Sequence, residues 1–359
     1  MPRLVNFNAG PSAIPLPVLE KAQSELLEIP GAGMSVMEMS HRSKEFEKSI
    51  RTAESLIRRL LEVPEEYAVL FLPGGASFQF AMIPMNLRRP GKSADYVDTG
   101  SWASKAIGEA TISGPVHLAW NGKECGYTRV PKPGELKLDA DAEYVHICSN
   151  ETIGGIQWST FPVTNTPLIA DMSSDILSRP VAVKQFGVVY AGAQKNLGPS
   201  GIAVVIMRKD LIGREPDHLP VILRYSTHAK EGSLYNTPNT WAVYMIMLTC
   251  QWLESQGGVL SMQKTNERKA AALYTTIDSS GFWRSPVEKE SRSIMNVVWR
   301  LPSEALEDQF VSQAKQEGLV GLKGHRSVGG IRASIYNAVP PEAVDALVSF
   351  MREFERKNG

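Results

Sequence analysis

The sequence predicts an α/β fold, a mainly parallel sheet covered by helices, followed by a smaller α+β domain. Two observations carry this. Strand-like and helix-like segments alternate through most of the chain, the pattern of a parallel sheet whose crossovers are helices. Five short apolar runs, at 68–72, 144–148, 168–170, 188–191 and 202–207, lack polar alternation, as expected of strands buried on both faces.

Taken in order, residues 1–15, with Gly10-Pro11 and Pro15, read as an extended arm. Phe46, Ile50, Ala53, Ile57, Leu60 and Leu61 then share one face of a helix, with polar residues between them. The five apolar runs come next, each ending in small or polar residues, and Tyr96-Val97-Asp98 marks a further strand end. A helix over 241–256 stops at Gly257-Gly258, where the pattern breaks. Beyond it the sequence predicts a helix at 262–278, a strand at 294–299, a helix at 303–317, two short strands and a last helix. That helix opens at Pro340-Pro341-Glu342 and carries a stripe of Val344, Leu347, Val348, Met351 and Phe354. The expected division is a large domain over 16–256 and a small domain formed by 257–359 with the arm 1–15.

The 359 residues suffice for two domains, and 43% apolar with 21% charged residues is the balance of an ordinary globular enzyme. Lys plus Arg equals Asp plus Glu at 38 each, so no overall field attracts nucleic acid or an anionic membrane, and neither is an expected partner. The longest apolar run, 241–248, is too short to cross a bilayer. The N-terminus has no apolar stretch of signal-peptide length, so a cytoplasmic location is expected. Cys125, Cys148 and Cys250 are scattered, without a CxxC or neighbouring paired histidines. That excludes a disulfide framework, and no metal site is expected.

In an open α/β sheet, ligands sit beyond the carboxyl ends of the strands. Leu168-Ile169-Ala170-Asp171 closes a buried run with a carboxylate, which is costly unless a cation meets it. Asp171 fits either a helix cap, aided by Ser173 and Ser174, or the partner of a pyridinium nitrogen. Lys195 sits at the tip of a turn between two apolar runs, flanked by Ala191-Gly192-Ala193-Gln194 and Asn196-Leu197-Gly198. Lysines in turns are usually solvated. This one is crowded by glycines and small residues, and an amine in a partly desolvated pocket can form an imine. A fixed acid followed by a lysine at the next strand end shifts the reading toward chemistry.

Leu72-Pro73-Gly74-Gly75-Ala76-Ser77 joins a strand to a helix start, whose free N–H groups and Ser77 hydroxyl can cradle a phosphate. It matches neither the GxGxxG nor the Walker pattern. Gly91-Lys92-Ser93 has a Walker-like tail, but Asn86 stands where the earlier glycine belongs. His325, Arg326 and Arg332 lie among glycines and offer forked donors suited to carboxylate or phosphate, unless they form a solvated basic loop. Ser40-His41-Arg42-Ser43 repeats the His-Arg pair just before the first amphipathic helix.

Together these segments resemble phosphoserine aminotransferases nearly end to end. The shared motifs are Asn6-Phe7-Asn8-Ala9-Gly10-Pro11, Met39-Ser40-His41-Arg42, Asn150-Glu151-Thr152, Ala191-Gly192-Ala193-Gln194-Lys195-Asn196, Tyr235-Asn236-Thr237-Pro238 and Gly324-His325-Arg326, in the family's order. The resemblance implies an aspartate aminotransferase-like fold (fold type I) and pyridoxal 5′-phosphate (PLP) bonded to Lys195, with Asp171 facing the pyridine nitrogen. It implies that Trp102 stacks on the ring, a role suited to an aromatic just after a strand end. Thr152 would bond the phenolic oxygen, and Ala76, Ser77 and Gln194 would hold the cofactor phosphate. Asn236 and Thr237 would complete that phosphate site from a neighbouring subunit, making a homodimer with shared active sites. Arg332 is implied on the substrate α-carboxylate, with His41, Arg42, His325 and Arg326 around the distal phosphate. Two departures stand out. Ala76-Ser77 replaces the Gly-Arg of some relatives, removing one cationic contact, and Ala9 replaces a serine, leaving any arm contact to substrate open.

The implied reaction is reversible amino transfer from L-glutamate to 3-phosphohydroxypyruvate, giving O-phospho-L-serine and 2-oxoglutarate in serine biosynthesis. Formation of 4-phosphohydroxy-L-threonine in pyridoxine biosynthesis is implied as a second role. Glutamate and phosphoserine both carry an α-carboxylate and a second anion, so one set of cations can serve either. Competing readings are another PLP reaction on the same fold, such as cysteine desulfuration, and a non-catalytic small-anion-binding protein. Neither Cys148 at a strand end nor Cys250 in an apolar helix suits the mobile nucleophile that desulfuration needs.

Overall fold

The computed structural model describes residues 3–359, so Met1 and Pro2 of the expected arm lie outside the described residues. The chain opens with β1 (Val5–Asn6), α1 (Leu16–Ser24), α2 (Lys44–Leu60), β2 (Tyr67–Pro73), α3 (Gly75–Leu87), β3 (Ala94–Asp98), α4 (Ser101–Ser113) and β4 (Val116–Asn121). It continues with β5 (Val145–Cys148), β6 (Asn150–Glu151), β7 (Ile156–Gln157), β8 (Leu168–Asp171), β9 (Val188–Gly192), β10 (Ile202–Arg208), α5 (Tyr225–Lys230) and α6 (Thr240–Ser255). The last part holds α7 (Gly258–Asp278), β11 (Asn296–Trp299), α8 (Glu304–Gln316), β12 (Leu319–Val320), β13 (Ile331–Ser334) and α9 (Pro341–Asn358).

All five apolar runs read from the sequence lie in strands of one seven-stranded sheet, in order β2-β10-β9-β8-β5-β3-β4. Only β10 is antiparallel to its neighbours; the other adjacent pairs are parallel. The sheet is therefore mainly parallel, and the carboxyl ends of β2, β3, β5, β8 and β9 share one edge. Because β10 runs the other way, its first residue, Ile202, reaches that same edge, and so does the turn before it.

Successive side chains of a strand point to opposite faces, and here both faces are buried. In β10, Ile202, Val204 and Ile206 enter one core while Val205 and Met207 enter the other. The first core is closed by α1, α2 and α6, the second by α3, α4 and α5. The stripe predicted from Phe46 to Leu61 is the buried face of α2, and Ser43 caps that helix by accepting a hydrogen bond from Phe46 N.

A third core lies among the C-terminal elements, where β11 pairs with β13. The N-terminal arm joins it: β1 pairs parallel with β12, and Phe7 is fully buried there. Helix α7 bridges the cores, giving Met262 to the first and Ala270, Leu273 and Ile277 to the third.

Three elements differ from the sequence reading. Helix α7 begins at Gly258 rather than at 262, because Gly257 at φ 87° turns the chain within one residue and no loop is needed. Strand β11 begins at Asn296 rather than at 294, because Ser293 Oγ accepts from the N–H groups of Met295 and Asn296 and holds a local turn there. Strand β4, at one edge of the sheet, has no continuous apolar run because it is only partly covered, with Leu118 exposed, whereas β2 at the other edge is buried.

Phe310 is fully buried and meets the rings of Trp283, Trp299, Phe350 and Phe354 at centroid separations of 5.7, 6.1, 5.0 and 5.2 Å. Phe310→Ala is expected to destabilise the third core by about 3–5 kcal/mol. Urea denaturation followed by tryptophan fluorescence checks this; a loss below about 1 kcal/mol would mean that the ring cluster relaxes to fill the space.

Candidate active site

The strand edge defined by the sheet surrounds a cavity of about 270 Å³ lined by residues of six separate segments. Lys195 enters from the turn between β9 and β10 and is only 7% exposed. Its turn is tightened by the N–H groups of Lys195 and Gly198, which both donate to Ala193 O at 2.8 and 2.7 Å. The N-terminal arm closes over this turn: Ser12 N donates to Gln194 O at 3.0 Å and Ser12 Oγ to Lys195 O at 3.0 Å.

The amine itself is held. Lys195 Nζ donates to Thr152 Oγ1 at 2.6 Å and lies 5.5 Å from the centroid of the Trp102 ring. Thr152 stands in the loop between β6 and β7, and Trp102 in the first turn of α4. Asp171 ends β8 and lines the same cavity. The helix that one of the two sequence readings had Asp171 cap does not form. Instead Ser173 folds back, and its N–H and hydroxyl both donate to Asp171 Oδ1, at 2.9 and 2.5 Å. Burial pushes the Asp171 carboxyl above its ordinary range, opposed by the Ser173 bonds and by the charge of Lys195.

Opposite the acid, Gly74 takes a left-handed conformation at φ 88° and starts α3 without any side-chain cap. The first-turn N–H groups of this helix open toward the cavity, which Gly75, Ala76, Ser77 and Gln194 line.

Arg332 on β13 lies one hydrogen bond beyond Thr152, whose carbonyl accepts from its Nη1 at 3.3 Å. Its Nε is buried without a partner, and burial pulls the guanidinium below its ordinary pKa. His325 is lowered by partial burial and then by the charges of Arg332, Arg326 and Lys105, so these cations gather on one side. Lys105 was not visible as a site residue in the sequence. Its Nζ lies 4.3 Å from the Trp102 ring centroid, and the available signal was its i+3 spacing from Trp102 on a helix.

The other candidates form a separate group. His41 Nδ1 lies 3.3 Å from Thr237 Oγ1, Arg42 Nε donates to His41 Nε2 at 3.4 Å, and Asn236 Nδ2 donates to Thr237 O at 3.4 Å. None of these four residues lines the cavity around Lys195, and neither do His325, Arg326 and Arg332. The sequence reading set His41 and Arg42, with His325 and Arg326, around the distal phosphate; within the single chain His41 meets Thr237 and Arg42 meets His41.

An uncapped helix start, a buried amine and a buried acid around one cavity form the donor set of a PLP enzyme. The family model for class-V aminotransferases matches residues 4–347, and the chain belongs to that family. It is 57% identical over 358 residues to phosphoserine aminotransferase of Geobacillus kaustophilus (strain HTA426), covering 99% of each chain. The crystallised phosphoserine aminotransferase from Bacillus circulans subsp. alkalophilus shares 54% identity at a TM-score of 0.98, with 99% of each chain covered. A PLP-bound phosphoserine aminotransferase from Trichomonas vaginalis shares 40% identity at a TM-score of 0.93, covering 98% of this chain and 100% of the other. Within the class-V aminotransferases, the chain thus stands among the phosphoserine aminotransferases, with fold type I and PLP as cofactor. Among the described residues, no helix is long and apolar enough to cross a membrane.

Proposed function

We propose that the protein moves an amino group reversibly between L-glutamate and 3-phosphohydroxypyruvate, forming O-phospho-L-serine and 2-oxoglutarate. The observation that carries this reading is the chain of contacts from Lys195 Nζ through Thr152 to Arg332, beside a cluster of further cations. PLP supplies an electrophilic carbon and a ring that accepts the negative charge developing at the substrate Cα. Ala76, Ser77 and Gln194 hold its phosphate at the start of α3, and Trp102 covers its ring. Asp171 holds a proton at the pyridine nitrogen, a role for a buried carboxylate whose Oδ1 is already fixed by Ser173.

Arg332 fits the α-carboxylate, which it can grip with two parallel hydrogen bonds. The second anion of either substrate then lies toward His325, Arg326 and Lys105. Lys195 takes the proton from Cα, with Thr152 Oγ1 restraining its reach. Cysteine desulfuration is disfavoured because the Cys148 thiol is buried, donates to Asn150 O at 3.5 Å and is pushed well up in pKa. The arm and residues 257–359 act as one small domain in this reading, since Phe7 belongs to the C-terminal core. Three free cysteines accord with a reducing, cytoplasmic location.

The second group of residues finds its use in a homodimer. His41 and Arg42 accompany Thr237 and Asn236 into a neighbour's site, where they complete the cation cluster and the phosphate cradle.

Two predictions test this. Arg332→Lys replaces a fork by a point charge and should weaken every amino acid substrate. Arg326→Ala should lower kcat/KM for phosphoserine on the order of 10–100-fold while sparing alanine; equal losses for alanine and phosphoserine would overturn the assignment of two anion sites. For the dimer, a Lys195→Ala chain and an Asn236→Ala/Thr237→Ala chain should each be impaired alone. Mixed by subunit exchange, about half the dimers are hybrid, so roughly a quarter of all sites regain Lys195, Asn236 and Thr237 together. Restored activity is expected. Its absence, with exchange and dimerisation shown by mass spectrometry and sedimentation, would contradict sharing.

A further inference from the structure

The loop that carries Thr152 also carries a carboxylate that the chemistry above leaves unused. Glu151 is 1% exposed, yet neither of its oxygens meets a cation. Oε2 accepts from Trp102 N at 3.1 Å and Oε1 from Ala103 N at 2.9 Å, both in the first turn of α4. That helix has no side-chain cap of its own: Gly100 precedes it, and a Cβ added there would lie 2.8 Å from Glu151 Cδ. Glu151 thus takes the place that a capping side chain would fill, from 48 and 49 residues away in the chain. A carboxylate at a helix start satisfies orphan N–H groups and meets the positive end of the helix dipole.

The neighbours of Glu151 give this clamp its consequence. The turn that Glu151 holds is the turn that bears the Trp102 ring, and the next residue, Thr152, holds Lys195 Nζ. The residue before, Asn150, donates to Ser174 Oγ at 2.8 Å and Asn296 Oδ1 at 2.7 Å, which anchors the hairpin to the turn after β8 and to β11. Three consecutive side chains therefore fasten three walls of the cavity. We propose that Glu151 is a positioning residue: through the start of α4 it sets the place of the Trp102 ring relative to Lys195, so that ring and amine keep one spacing. Because the carboxylate is buried, no bulk water competes for the two N–H groups, and the clamp is stiff.

The inference rests on the reading of Trp102 as the cover of the cofactor ring. Its test is the binding of PLP to apoprotein, followed by absorbance titration, in a double-mutant cycle with Trp102→Ala. Glu151→Gln keeps the shape but turns one acceptor into a donor facing an N–H, so one bond is lost without a cavity. It should raise the Kd for PLP about tenfold in the wild-type background. In the Trp102→Ala background the same change should raise it less than about twofold, since there is no ring left to position. Equal weakening in both backgrounds, or none in the wild type, would overturn the role of Glu151 while leaving Trp102 in place. A Trp102→Ala protein that binds PLP as tightly as wild type would instead remove the reading of the ring, and the inference with it.

Discussion

A buried amine is the constraint on which the rest of this structure depends. In the proposed reading Lys195 is the reactive group and must be kept from bulk water, yet an ammonium taken out of water needs compensation. The protein gives it one short hydrogen bond to Thr152, the face of Trp102, and the nearby charge of Asp171. None of these comes from its own turn. They are brought by the hairpin after β5, by α4 and by β8, and the sheet is what collects them. The reversed direction of β10 is decisive, because it starts at the carboxyl edge that β9 has just reached and leaves the lysine in the turn there.

The two buried acids nearby are stabilised in different ways, and their roles diverge accordingly. Asp171 has one oxygen fixed by Ser173 and the cavity before it, so its charge is directed at whatever fills that space. Glu151 spends both oxygens on backbone N–H groups, and burial still pushes it up to about 7. The first is placed to act on a ligand, the second on the wall around it. Beyond them the cations are graded by burial. Arg332 is deepest and carries an orphan Nε, while Arg326 stands on an exposed loop.

How much of this was legible in the sequence depends on where each interaction lies along the chain. The five strands β2, β5, β8, β9 and β10 could be read because burial on both faces leaves continuous apolar runs. Asp171 and Lys195 were legible for the same reason, each being a polar residue at the end of such a run. The α2 stripe was a local pattern. Strand β4 was hidden because it is only partly buried and carries no apolar run, unlike β2 at the other edge, and the Glu151 clamp because its partners lie in a helix far away in sequence. The pairing of His41 with Thr237 could not be read either, since 196 residues separate them. Family motifs supplied roles for those residues, but only the folded chain shows that they stand apart from its own Lys195.

The most direct measurement is to locate the covalent link between cofactor and chain. Borohydride treatment of the PLP-loaded protein, followed by digestion and mass spectrometry, should find the reduced cofactor on the peptide containing Lys195 and on no other lysine. Lys105 is an internal control, because it faces the same tryptophan ring from 4.3 Å. A label on Lys105 or another lysine, with Lys195 unmodified, would contradict the placement of the reaction at the turn between β9 and β10.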